Sequence, residues 1–141
     1  MTGAEDPRAA QDRVGEDPAE PLAAALRGEA LTVYGDGLQS RDFTYVDSVC
    51  AAIVAAVTGQ VTSELAVNLA FGSSTDLLSL IELISELLGT ELTVEHHDPR
   101  AGDVRHSSAD CTLLNELLPG IGPSPLPDGL AATIDWMRTQ V

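Results

Sequence analysis

The sequence contains no lysine; its seven basic residues are all arginine. A phosphate loop of the GxxxxGK[ST] type is therefore excluded, because its ammonium group reaches the terminal phosphates. Positive charge of any kind is scarce, with 7 basic against 22 acidic residues and a formal net charge of −15. Nonspecific nucleic-acid binding depends on clustered cations that release counterions, so no nucleic-acid partner is expected. No run reaches the roughly 18 apolar residues of a membrane span, and no membrane partner is expected either. The acidic N-terminus has no apolar core of a secretory signal, which makes a cytoplasmic location the expectation. Cysteine is also sparse. Cys50 and Cys111 form neither a CxxC pair nor a zinc spacing. Cys50, in VCAAIVAAV, reads as a small core residue and Cys111 as the opening of a helix, so both thiols are expected buried or half-buried.

What is present is apolar content, 44% over 141 residues, enough for one domain with a real core. Residues 1–21 carry six acids and three prolines and read as a disordered acidic tail. Residues 22–141 read as the folded domain. LAAALRG is a short helix closed by Gly28, and LTVYG and FTYV are strand-like on either side of Gly35-Asp36-Gly37. Asp47 is placed to cap a helix over 48–57, and ELAVNLA reads as a buried strand near 65–70. Leu77, Leu80, Ile81, Ile84, Leu87 and Leu88 make one helical stripe, capped by Thr75 or Asp76 and ended by Gly89. ELTVEH alternates like a strand, VRHSS reads as extended, Asp110 caps a helix that stops before Pro119, and a last helix covers about 127–140. The expected fold class is mixed α/β, with no long regular βαβ series.

Most chemical motifs fail on inspection. Gly35 and Gly37 precede a strand rather than a helix, and no third glycine completes a dinucleotide fingerprint. His96 and His97 are adjacent on a strand and point to opposite faces, so they do not chelate one ion together. No metal is expected. His106 lacks the nearby partners of a triad. Beyond residue 30 there remain Arg41, Arg100, Arg105 and Arg138 against fifteen acids, 4 − 15 = −11. An anion would need a locally focused positive site in that field. Arg41 and Arg100 stand at loop edges, where binding residues concentrate. On spacing alone, Arg41 beside Asp42 reads as a surface ion pair worth about 0–1 kcal/mol.

The stretches LRGEALTVYGDGLQSRDFTYVDSV, AVNLAFGSSTDLLSLIELISELLG and DPRAGDVRHSSAD resemble the C-terminal part of NAD-dependent nucleotide-sugar epimerases and dehydratases. These are extended short-chain dehydrogenases, of which UDP-glucose 4-epimerase is the best-known member. The resemblance covers about 22–140. It implies a small α+β substrate-binding portion, with the Rossmann cofactor domain largely absent. It also implies that Arg41 and Arg100 grip a substrate diphosphate through their planar forks. Asp103 would take a ribose hydroxyl or position Arg100. Thr32, Val33 and Tyr34 would line the base, with Tyr34 stacked on it.

Departures accompany the likeness. NAD serves the intact family, but the glycine-rich cofactor turn is missing here. So is the catalytic Tyr-x-x-x-Lys pair, since the tyrosines are Tyr34 and Tyr45 and there is no lysine. The family's NVGxG turn stands as Asn68-Leu69-Ala70-Phe71-Gly72. Two functions are implied. One is a nucleotide-sugar-binding part of such an enzyme, binding its ligand weakly and inactive alone, with no cofactor of its own. The other is an interaction module that homodimerises or docks a separate cofactor domain through apolar faces left without a partner.

Overall fold

A computed structural model of the protein describes residues 19–140. The tail expected over 1–21 lies outside the described residues as far as residue 18. Its last three residues instead open the first helix, α1 (Ala19–Arg27). Pro21 fits there because the first-turn N–H it lacks would have no helical partner anyway. Gly28, at φ 69°, takes the chain out of the helix.

The next element, β1 (Leu31–Tyr34), alternates as a strand should. Leu31 and Val33 are buried, Thr32 is exposed and Tyr34 is half-buried. Its partner is distant in sequence. β4 (Val94–His97) runs parallel to it, with Leu31 opposite Val94 and Tyr34 opposite His97. The helices α1, α3 (Leu77–Leu88) and α5 (Leu126–Arg138) cover the apolar face of this two-stranded ribbon. Leu22, Ala25, Leu31, Val33, Leu80, Ile81, Ile84, Leu130 and Ile134 form one core. This is a mixed α/β fold, as the sequence leads one to expect.

α3 follows its stripe closely. Leu80, Ile81 and Ile84 are buried, and Leu77, Leu87 and Leu88 flank them half-buried. Asp76 caps the start by accepting Ser79 N–H at 2.8 Å and Ser79 Oγ–H at 2.8 Å. These two bonds, the backbone one first, hold the Asp76 carboxyl below the usual carboxylate range. Gly89 ends the helix in the left-handed region, φ 65°.

Four expectations need correction. FTYV forms no strand: residues 42–45 are irregular, and β2 is the short Ser40–Arg41 segment, paired antiparallel with β3 (Thr75–Asp76). The Gly-Asp-Gly turn therefore joins two different sheets and makes no hairpin. ELAVNLA is neither strand nor buried; residues 64–70 have no ladder partner among the described residues, and Leu65 is 71% exposed. α2 (Val46–Thr58) begins earlier than expected, with Tyr45 in the capping position and Asp47 already inside the first turn. Cys50 is exposed, because α2 turns that side of its surface to solvent, whereas Cys111 is half-buried. Cys111 precedes α4 (Thr112–Leu117), and Asp110 Oδ1 takes the Thr112 N–H at 2.8 Å.

Candidate functional site

A cleft of about 500 Å³ opens beside the C-terminal ends of β1 and β4. Two loops form its walls, the 35–38 turn after β1 and the 98–107 segment after β4. The turn needs glycine at both ends of Gly-Asp-Gly, with φ 74° at Gly35 and 77° at Gly37. A Cβ on Gly37 would also come within 2.7 Å of the Leu78 side chain.

Backbone bonds fasten the second wall to the first. Gly35 N–H donates to His97 O at 2.9 Å, Ser40 N–H to Arg105 O at 2.8 Å, and Ser107 N–H to Ser40 O at 3.1 Å. His96 Nδ1 hydrogen-bonds Gly35 O at 2.9 Å. His106 does have a partner, since its Nδ1 lies 2.9 Å from the Oγ of buried Ser40. No local signal marks that pair, which bridges 66 positions at an isolated parallel β-bridge.

The six predicted site residues divide. Tyr34, Arg100 and Asp103 line the cleft together. The Arg100 guanidinium sits 3.7 Å above the Tyr34 ring, a cation–π contact, and the His97 ring lies 5.8 Å from Tyr34. Asp103 N–H closes a turn onto Arg100 O at 3.4 Å. Arg41 stands just behind the wall. Its Nη1 donates to Ser40 O at 2.9 Å and to Val104 O at 2.7 Å, and Val104 faces the cleft. Thr32 lies outside the cleft, on the opposite flank of β1 near α1. Val33 is 0% exposed and sits in the core, outside the cleft lining.

Asp42 is engaged elsewhere. It accepts from Gly72 N–H at 2.9 Å, Ser73 N–H at 3.1 Å and Ser73 Oγ–H at 2.5 Å, and so holds the altered Asn-Leu-Ala-Phe-Gly turn in place. Sequence reasoning passed over Asp36, Gln39 and Arg105, which also line the cleft. Gln39 Nε2 donates to Tyr34 O at 3.2 Å, and Arg105 pairs with Asp36 at 2.7 Å. The available signal for Arg105 was its place inside the same RAGDVRHSSAD stretch as Arg100.

Fold and cleft together define a class, a mixed α/β chain with an arginine-bearing cleft at the strand ends. Comparison with known proteins narrows it. The profile of the NAD dependent epimerase/dehydratase family matches residues 4–70. The UDP-glucose 4-epimerase of Mycolicibacterium smegmatis is 32% identical over 117 residues, covering 83% of this chain and 37% of that protein. Among solved structures, UDP-N-acetylglucosamine 4-epimerase from Methanobrevibacter ruminantium, in complex with UDP-N-acetylmuramic acid, superposes with a TM-score of 0.80 at 30% identity, over 92% of this chain and 41% of that one. A mutant UDP-glucuronic acid 4-epimerase from Bacillus cereus, holding UDP-4-deoxy-4-fluoro-glucuronic acid and NAD, gives a TM-score of 0.79 at 25% identity, over 92% and 42%.

The chain is similar to the NAD-dependent epimerase/dehydratase family over these stretches and is UDP-sugar-epimerase-like. It spans well under half the length of these relatives. No helix among the described residues is long and apolar enough to cross a membrane.

Proposed function

We propose that residues 22–141 are a substrate-binding portion whose cleft takes the nucleoside diphosphate of a UDP-sugar. Arg100 and Arg41 bind the diphosphate and Asp103 accepts a ribose hydroxyl or positions Arg100. Tyr34 stacks on the base from the end of the strand that carries Thr32 and Val33. One observation carries this reading. Fifteen acids dominate the sequence beyond residue 30, yet two of its four arginines, Arg100 and Arg105, line a single cleft and a third, Arg41, stands behind its wall. Such focusing is what an anion needs in a negative average field. Stacking by Tyr34 requires Arg100 to leave the ring, and a half-buried cation–π contact of about 0.5–2 kcal/mol is offset by a charge-assisted bond to a phosphate.

The residues present do not fit NAD. The Gly35–Gly37 turn leads into β2, not a helix, so no helix N-terminus receives a pyrophosphate there. With no lysine there is no Tyr-x-x-x-Lys pair, and we expect no turnover by this polypeptide. Two charge-assisted arginines contribute about 1.5–3 kcal/mol each, which corresponds to roughly millimolar binding once ordering costs are met. Titration of the full chain with UDP-glucose, followed by amide NMR, should shift Tyr34, Gly35 and the 98–105 amides in the millimolar range. Absence of any shift at 10-fold above about 1 mM would remove the reading. Arg100→Gln should weaken binding about tenfold or more.

A second reading has its own observation. α2 carries one charged residue, Asp47, yet leaves Val46, Ile53, Val54 and Val57 exposed, the last at 72%. This is a face suited to a second copy or to a separate cofactor-binding body, and Leu65 and Leu69 are exposed as well. Size-exclusion with light scattering tests it, a strict monomer with no partner being the adverse result.

A further inference from the structure

One ion pair spans the mouth of the cleft. Arg105 donates to Asp36 Oδ2 at 2.7 Å, while Asp36 Oδ1 takes the Leu38 N–H at 3.0 Å. The Leu38 N–H and then the Arg105 guanidinium hold the Asp36 carboxyl below the usual carboxylate range, so it is ionised at neutral pH. Both side chains are half-exposed, 60% for Arg105 and 49% for Asp36. Among the cleft-lining residues the arginines are Arg100 and Arg105 and the carboxylates Asp36 and Asp103, so the formal sum is 2 − 2 = 0. A neutral cleft repels a phosphate dianion less than the rest of a chain of net charge −15 does, and it turns positive where an arginine leaves its carboxylate. Asp36 is what cancels the nearer positive charge.

The Arg105 backbone is fixed, because its carbonyl accepts the Ser40 N–H at 2.8 Å, and Ser107 N–H returns to Ser40 O. Only the side chain has to move for the guanidinium to change partner. An exposed ion pair contributes little net stability, since water already solvates both groups. A guanidinium fork gains more from phosphate oxygens, which it can meet in a bidentate geometry.

We propose that Arg105 is a third phosphate-binding residue of this cleft and that Asp36 is its resident competitor: a nucleoside diphosphate draws the Arg105 guanidinium off Asp36 and onto its phosphates. The proposal rests on the nucleotide-binding reading above and adds two residues to it. It makes the cleft's affinity a contest between a built-in carboxylate and an incoming phosphate. Uridine, which has no phosphate, takes no part in that contest.

The test uses the full chain, UDP as the probe, and four proteins besides the wild type: Arg105→Gln, Asp36→Asn, the double variant, and Arg100→Gln. Both Asp36 and Arg105 are half-exposed, and retention of the amide NMR spectrum confirms folding in each case. Arg105→Gln should weaken UDP binding about tenfold. Asp36→Asn should tighten it about threefold, and the double variant should show no tightening relative to Arg105→Gln alone. Uridine binding should be the same as wild type in Arg105→Gln, Asp36→Asn and the double variant. Unchanged UDP affinity in Arg105→Gln, with Arg100→Gln impaired, overturns this proposal and leaves the cleft reading standing. A threefold gain that persists in the double variant also overturns it, because Asp36 would then act on the ligand without Arg105. No UDP binding by the wild type brings down the cleft reading, and this proposal with it.

Discussion

The two ends of the molecule are built to different degrees of completeness. At the cleft end, β1, β4 and the 98–107 loop are tied by backbone bonds that span long sequence separations, and their side chains have partners on the facing wall. On the α2 flank, a helix with one charged residue exposes valine and isoleucine, and the ELAVNLA stretch has strand chemistry without a ladder. A helix apolar nearly all round is ordinarily an interior helix. The difference teaches where the fold closes on itself within this chain and where it does not. The cleft is closed by residues of this chain, whereas the flank presents a surface of the kind normally found inside a larger body.

That contrast can be broken by substitution, beginning with the largest effect. Ile84→Ala, in the core beneath β1, should cost about 2–5 kcal/mol in urea unfolding. A cost under about 0.5 kcal/mol, the range of ordinary surface changes, would mean that the cleft end is no better packed than the flank. Gly37→Ala should cost about 1–2 kcal/mol, since the residue is left-handed and its Cβ would crowd Leu78. The same measurement checks it, and the cleft amides should lose protection first.

Asp76→Ala should cost about 1 kcal/mol by uncapping α3. The pH dependence follows from the lowered folded-state value. The bound N–H and hydroxyl favour the ionised carboxyl in the folded chain, so this stabilisation is present above the unfolded value of about 4 and is lost as pH falls through the lower folded one. Unfolding curves between pH 7 and 2 should therefore converge for wild type and variant at the acid end. Smallest is Val57→Asp on the flank, which should change stability by less than about 0.5 kcal/mol. It should nevertheless abolish any self-association seen by light scattering. A large loss of stability there would show that α2 is already covered.

Legibility in the sequence followed the same divide. α3 was readable residue by residue, because its stripe, its Asp76 cap and its Gly89 stop are local signals. The β1–β4 pairing was not, since a parallel ladder between residues 31–34 and 94–97 depends on helices packing between them in sequence. FTYV and ELAVNLA have strand propensity, but propensity yields a strand only where a neighbour supplies the ladder. The count of elements came out in the expected order although two of the strands lay elsewhere. At the site, Arg100, Asp103 and Tyr34 could be picked out through the family likeness, and the structure brings them to one cleft. The pairing of Arg105 with Asp36 could not, because the two meet only when two loops 69 positions apart face each other.

The most direct measurement is amide hydrogen exchange on the full chain at neutral pH, resolved by residue. The account predicts that the amides of Leu31 and Gly35, and of Ser40 and Ser107, are protected to near the global stability, because each donates to a backbone carbonyl across the ribbon or the cleft. The amides of 64–70 should exchange close to the rate of an unstructured chain. Protection of 64–70 equal to that of β1 would contradict the account, since it would mean that the flank is as complete as the cleft.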